Sequence, residues 1–279
     1  MKVGIISRTA DKNLIDFLST KFETIFIPIE EIKFKIEREL EVKFKNLNLL
    51  DLDYALILPN GSKEIFYLLL RAIEKSVSTP IPSENLLILL NKPLLFNFLT
   101  KNEIKTKKIF GIAQNVVIQE ILERVKLPLI LNLPKGKRIL VKKRSSLVDI
   151  LSLFKPGYMI TIEKPLKNGL EAFVAQNFVI CIKKDDEKFL KVGKDIREEL
   201  IKIKNLLSLD FCTIDFYLTG KNILVENVKI SYSPKILKKT EKNLEFLARA
   251  IEEKIKKERE GIISKINEIF YKILKTVRK

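Results

Sequence analysis

Along the chain the spacing of apolar residues changes period repeatedly, and each change marks a boundary between elements. Residues 2–7 (KVGIIS) are an almost unbroken apolar run, the pattern of a buried strand. Between residues 11 and 21, Leu14, Phe17 and Leu18 recur at three- and four-residue spacing and predict a helix. Residues 24–28 return to strand, and 53–58 (DYALIL) form another, ended by Pro59-Asn60-Gly61. A helix is expected over 62–75, whereas 30–45 is ambiguous between helix and strand. Strand, helix, strand, helix in succession predicts an α/β layer on a parallel sheet.

After Thr79-Pro80-Ile81-Pro82, Ser83 is placed to cap a helix that runs to about Thr100 and that Pro93 would kink or restart. A strand over 105–110, a helix over 115–124 and two strands within 127–146 follow, the last two joined by Pro134-Lys135-Gly136-Lys137. Next come a helix over 145–154, strands over 158–163, 171–176 and 178–183, and a helix over 194–206. A final amphipathic helix spans about 240–257 and is expected to break at Gly261. Beyond it, Ile263, Ile266, Phe270, Ile273 and Val277 keep helical spacing, either to cover the body or to meet a partner helix.

The stretch from Leu209 to Ile230 (LDFCTIDFYLTGKNILVENVKI) is the most informative in the chain. Two runs rich in β-branched and aromatic residues flank Thr219-Gly220-Lys221-Asn222 and read as a hairpin. With that four-residue loop, Leu218 pairs with Ile223 and Asp215 stands opposite Glu226, both carboxylates on one face. Facing like charges repel, so the pair invites a cation, and magnesium is the natural oxygen-ligated candidate. The plainer alternative is an edge hairpin with solvated carboxylates, and a two-residue loop would slip the register and dissolve the pair.

Composition narrows the chemistry. The 279 residues are 46% hydrophobic, enough for a full core in two or three lobes. Histidine is absent, which excludes Ser-His-Asp and Cys-His nucleophiles, His-ligated zinc and imidazole relays. Cys181 and Cys212, without CxxC spacing, suit buried thiols in a reducing compartment. No apolar run nears membrane-spanning length and no signal-peptide pattern opens the chain, so a cytoplasmic protein with no membrane partner is expected. Gly4 is the only glycine at the first strand, so a dinucleotide fingerprint is unsupported. The net charge of +17 is spread mainly over lysines. Its densest cluster, Lys135, Lys137, Arg138, Lys142, Lys143 and Arg144, suits phosphate oxygens, with nucleic acid or a solvated loop as alternatives.

The order of elements and the central stretch resemble the ATP-grasp superfamily, most closely RimK-like carboxylate-amine ligases, over about residues 1–257. NKPLLFNFLTKNEIKTKKIFG is similar to the family's Asn/Asp-Lys helix and the strand after it. LSLDFCTIDFYLTGKNILVENVKISYSP is similar to its Leu-Gly-Leu-Asp, Val-Asp, Glu-Val-Asn and Ser-Pro segment. The resemblance implies an α/β plus α+β architecture: a Rossmann-like lobe over 1–89, a small ATP-clamping lobe over 90–152, a large one over 153–258 and a terminal helix over 259–279. It implies ATP and Mg²⁺, with Lys92 reaching phosphate, Glu163 contacting ribose, and Asp215 and Glu226 as metal ligands.

Departures bear on catalysis. Asn132 stands where the family carries a second phosphate-binding lysine, the glycine-rich flap shrinks to Lys135-Gly136-Lys137-Arg138, and no arginine occurs near 170–172. The third metal ligand would fall on Val228; Asn227 is one position early unless a bulge shifts it. A divergent ligase, with Lys135, Lys137 or Arg138 supplying the missing charge for a small-molecule or peptide carboxylate, is one expectation. A catalytically silent protein binding nucleotide or a protein partner is the second, and a nucleic-acid module the third.

Overall fold

The computed structural model describes residues 1–36, 40–59, 63–107, 109–112, 126–133, 138–153, 160–220, 222–232, 236 and 242–277. β1 (Lys2–Ser7), α1 (Lys12–Ser19) and β2 (Glu23–Pro28) come in the expected order, with Asp11 capping α1 through Leu14 N at 3.2 Å. The ambiguous stretch is a hairpin, β3 (Lys33–Ile36) and β4 (Leu40–Phe44), extended by β5 (Leu47–Asn48) into a separate small sheet. Val42 and Phe44, two residues apart, bury one face of it. β6 (Tyr54–Ile57) completes a parallel sheet in the order β2-β1-β6. Gly4 allows that sheet to close on Leu52, whose Cδ1 would lie 2.6 Å from any Cβ at this position.

After α2 (Lys63–Ile73), α3 (Ser83–Leu90) and α4 (Lys92–Lys101) are separate helices. Asn91 restarts the chain by capping α4 at Leu94 N, and Pro93 falls in its first turn, where a missing N–H costs nothing. Lys92 is therefore fixed at a helix start.

β7 (Ile109–Ile112), β8 (Leu129–Asn132), β9 (Arg138–Val141), α5 (Arg144–Ser152) and β10 (Ile160–Glu163) build a second unit. Its antiparallel sheet runs β7-β10-β8-β9. Leu129, Leu131, Val141, Leu147 and Ile162 give it a small core of its own. The helix expected over 115–124 and the tip with Lys135 and Lys137 lie outside the described residues.

β11 (Leu170–Ala175), β12 (Phe178–Lys183), β13 (Phe189–Leu190), α6 (Lys194–Leu206), β14 (Phe211–Thr219) and β15 (Asn222–Lys229) form the third unit. Its sheet order is β13-β12-β11-β14-β15. α7 (Lys242–Val277) follows as one continuous helix, so Gly261 does not break it. A lone glycine costs only about 1 kcal/mol in a helix, and the good helix formers on both sides carry the chain through. Leu244, Leu247, Ile251 and Ile255 bury the first half of α7 in the core shared by the parallel and five-stranded sheets. Among the described residues no helix is long and apolar enough to cross a membrane.

Asp210 joins those two sheets. Tyr54 donates its hydroxyl to Asp210 Oδ2 at 2.9 Å, Lys254 Nζ lies 3.8 Å from Oδ1, and Asp210 N donates to Pro80 O. Burial pushes the carboxyl up to about 6 against the pull of Lys254, Tyr54 and Lys204, with Glu258 adding to the rise. A raised carboxyl binds its proton more tightly in the folded chain, so stability falls as pH rises through the window from about 4 to about 6. Asp210→Asn is expected to raise stability near pH 7.5 by up to about 3 kcal/mol and to change little below about pH 4, as urea midpoints at the two pH values would read.

Candidate functional site

The β14–β15 ladder runs out to the pair Thr219↔Asn222, and Gly220 just beyond Thr219 takes a left-handed φ of +66°, which glycine adopts without strain. Leu218 still pairs with Ile223, as expected. The expected facing of Asp215 and Glu226 is corrected: a bulge between Asp215 and Phe216 in the ladder leaves Glu226 unpaired and sets Asn227 opposite Asp215. One extra residue on β15 does this, and it brings an amide beside the carboxylates rather than dispersing them. Asp215 and Glu226 are buried, and both reach Lys184, whose Nζ lies 3.0 Å from Asp215 Oδ1 and 3.0 Å from Glu226 Oε2.

The neighbouring cations arrive through backbone placement. Residues 105–107 dock on the outer edge of β15, with Val225 N donating to Lys105 O at 2.9 Å and Lys107 N to Val225 O at 3.0 Å. This delivers the buried Lys107 ammonium to Glu163 Oε2 at 3.0 Å and Glu226 Oε1 at 3.5 Å. Lys92, at the start of α4, binds Glu163 Oε1, and Asn132 Nδ2, at the end of β8, donates to the same oxygen at 2.5 Å. Arg138, opposite Asn132 in β9, places Nη2 3.3 Å from Glu226 and 3.8 Å from Glu163. Lys229 lies 2.6 Å from Asp215 Oδ2.

Of the residues singled out by sequence, Lys92, Asn132, Arg138, Glu163, Asp215 and Glu226 thus converge between the four-stranded and five-stranded sheets. Lys135 and Lys137 lie outside the described residues. Glu163, expected at the ribose, has a fully buried side chain with both oxygens engaged by Lys92, Asn132 and Lys107. Lys107 and Lys184 were not legible. Lys107 has no local signal, and Lys184 lies just past the end of β12, the strand two places from β14, where only the sheet order brings it to the pair.

Among the described residues five cations (Lys92, Lys107, Arg138, Lys184, Lys229) surround three carboxylates, a local surplus of two positive charges. Burial pushes Glu226 up, but Lys184 foremost, then Lys107 and Arg138, hold it down at about 2. Glu163 is likewise held below its ordinary range, Lys92 and Lys107 outweighing burial. Both stay ionised at neutral pH. The surplus suits a polyanion, since each phosphate oxygen brought in would replace one carboxylate partner of a lysine or arginine.

The donor set also fits a divalent ion. Among the described residues no cluster of three acidic, cysteine or histidine ligands occurs, but Asp215 and Glu226 flank the bulge and Asn227 stands opposite Asp215 in the ladder. Asp215 Oδ1 is buried and, although paired in charge with Lys184, has no hydrogen bond. An oxygen of that kind suits a cation without directional demands. A concavity of about 870 Å³ along α6, lined by Lys194, Arg197 and Ile201 among others, shares no lining residue with this cluster.

An α/β layer followed by a four-stranded and a five-stranded antiparallel sheet that meet over one charged cluster is the ATP-grasp fold. Within it the chain is similar to a RimK domain ATP-grasp protein from Sphaerobacter thermophilus, at 11% identity over 90% of this chain and 99% of that one, TM-score 0.72. It is also similar to the ATP-grasp ligase PsnB, solved with precursor peptide PsnA2 and AMPPNP, at 10% identity over 91% and 98% of the two chains, TM-score 0.67. D-alanine–D-alanine ligase from Bacillus anthracis, solved with ATP, matches at 13% identity over 92% and 99%, TM-score 0.66. At these identities the likeness is one of fold. No protein-family profile and no curated protein sequence matches the chain.

Proposed function

We propose that the protein is an ATP-dependent carboxylate-amine ligase whose nucleotide phosphates and divalent ion lie at the cluster around Glu226. The observation that carries the reading is the convergence of Lys92, Lys107 and Arg138 on Glu163, with Lys107 and Arg138 reaching on to Glu226, which shares Lys184 with Asp215. In the reaction a substrate carboxylate oxygen attacks the terminal phosphorus of ATP and ADP departs, leaving an acyl phosphate. An amine nitrogen then attacks the acyl carbon, phosphate leaves, and the nitrogen gives up a proton. Lys92, Lys107 and Arg138 would hold the phosphoryl oxygens, which is where most catalytic stabilisation arises in phosphoryl transfer. Mg²⁺, held by Asp215 and Glu226 with Asn227 beside them, would supply further neutralisation of phosphate charge. Lys107 also stands in for the charge that Asn132 lacks, because both side chains meet at Glu163. The likeness to a ligase solved with a precursor peptide supports a peptide carboxylate as the acid, with a free amino acid as the small-molecule alternative.

Incubation with ATP, Mg²⁺, carboxylate candidates and hydroxylamine tests the reading, since hydroxylamine traps an acyl phosphate as a hydroxamate. ADP and hydroxamate in equal amounts, both lost in Lys92→Met, are expected. Tight ATP binding without either product would instead favour a silent nucleotide-binding protein, the reading that Asn132 in a lysine's place supports.

A further inference from the structure

Lys184 sits where a divalent ion would sit. Its ammonium is equidistant, at 3.0 Å, from one oxygen of Asp215 and one of Glu226, so a single side chain of the same chain bridges the two carboxylates. This placement is built into the backbone. Lys184 N donates to Gly169 O at 2.9 Å, and a Cβ on Gly169 would stand 3.1 Å from Lys184 Cδ and 3.4 Å from Tyr217 Cε1. The bare glycine therefore leaves the lane along which the lysine stem reaches the pair.

We infer that Lys184 is a tethered, displaceable counter-cation that sets how tightly the Asp215–Glu226 pair takes a divalent ion; the inference rests on the reading of that pair as the ion's position. Three observations bear on displacement. The Lys184 side chain is 27% exposed, so its head can swing into water while the stem stays packed. Asp215 Oδ1 gains charge from the ammonium but no hydrogen bond, so the directional donor is a poorer partner for it than an ion. An ammonium and a divalent ion cannot share the two oxygens, because like charges at that spacing repel strongly.

Binding of the ion therefore requires an arrangement with Lys184 withdrawn, and the apparent affinity falls by the fraction of molecules in that arrangement. Nucleotide phosphates would offer the withdrawn ammonium a new partner, so ion and nucleotide are expected to bind together rather than in sequence.

The test is a Mn²⁺ titration without nucleotide, read by loss of the free-ion electron paramagnetic resonance signal, on the wild type, Lys184→Met, Lys184→Gln and Lys184→Met/Asp215→Asn. Both single variants are expected to bind Mn²⁺ about tenfold tighter or more than the wild type, corresponding to a competent fraction below about one tenth, and the double variant to lose the gain. Thermal unfolding gives an independent reading: Lys184→Met in chelator should melt lower than the wild type, and Mn²⁺ should restore it at concentrations that leave the wild type unmoved. Equal or weaker Mn²⁺ binding by both single variants, a gain that survives Asp215→Asn, or failure of both to fold even with Mn²⁺ would each overturn the inference. Tight Mn²⁺ binding by Lys184→Met in a protein that never binds ATP would sink the ligase reading alone. ATP turnover with no Mn²⁺ gain would sink only the role of Lys184.

Discussion

Glu163→Ala is expected to destabilise the protein by about 3–5 kcal/mol, the cost of removing one side of a buried ion pair and leaving the other unpaired. The Glu163 side chain is fully buried and accepts from Lys92, Lys107 and Asn132, and Lys107 is itself only 3% exposed. Without the carboxylate, Lys107 keeps the longer contact to Glu226 at 3.5 Å and its place over the Tyr217 ring, 5.6 Å from the centroid. The loss should be local first. Glu163 ends β10, a central strand of the four-stranded sheet, and that sheet rests on a core of few buried side chains. Hydrogen exchange over β8, β9 and β10 should accelerate before the other sheets respond.

Two controls separate charge from packing. Glu163→Gln keeps acceptor and shape and should cost less. Glu163→Leu/Lys107→Met, which removes both charges, should recover much of the loss, because apolar replacements of buried pairs are often neutral. The pH dependence has a definite sign. A carboxyl whose folded value is lowered contributes stability that is present above its unfolded value and lost as pH falls through the folded one. The gap between wild type and Glu163→Ala should therefore be full at neutral pH and shrink below about pH 4, as chemical unfolding at several pH values would show.

The elements were legible because period and punctuation agree. The runs KVGIIS and DYALIL became β1 and β6, and α6 fell on the expected residues 194–206. Boundaries failed where one residue's local preference met a stronger context. Gly261 reads as a break but lies inside α7, whereas Pro93 does restart the helix because Asn91 is there to cap it. In the site, the two carboxylates were legible from strand alternation, but the bulge beside Asp215 was not, since one inserted residue leaves no mark on composition. The cations were harder. Lys107 reaches Glu226 across a sequence separation of 119 and Lys184 across 42, and in a chain this rich in lysine neither stands out. Only pairing geometry, residues 105–107 on the edge of β15 and β12 beside β11, singles them out.

Glu226→Gln is expected to lower ATP-dependent turnover by about 10²–10³-fold, the range for losing one preorganised charge at a phosphoryl-transfer centre. Glu226 borders most of the proposed chemistry: Lys107 and Arg138 on Oε1, Lys184 on Oε2, and Asp215 and Asn227 at the bulge. The amide keeps the shape and one acceptor, so folding should change far less than with Glu163→Ala. The contrast between nucleotide and ion is the informative readout. Losing a negative charge raises the local positive surplus, so ATP without metal should bind the variant at least as well as the wild type. Mg²⁺-dependent tightening of ATP should shrink, because one of the two proposed carboxylate ligands is gone. Calorimetric titration with ATP in chelator and in Mg²⁺, alongside ADP release, separates these effects. If turnover survives within about threefold while ATP binding is unchanged in both conditions, the phosphates and the ion lie elsewhere, since a displaced ligand at this centre could not be that cheap.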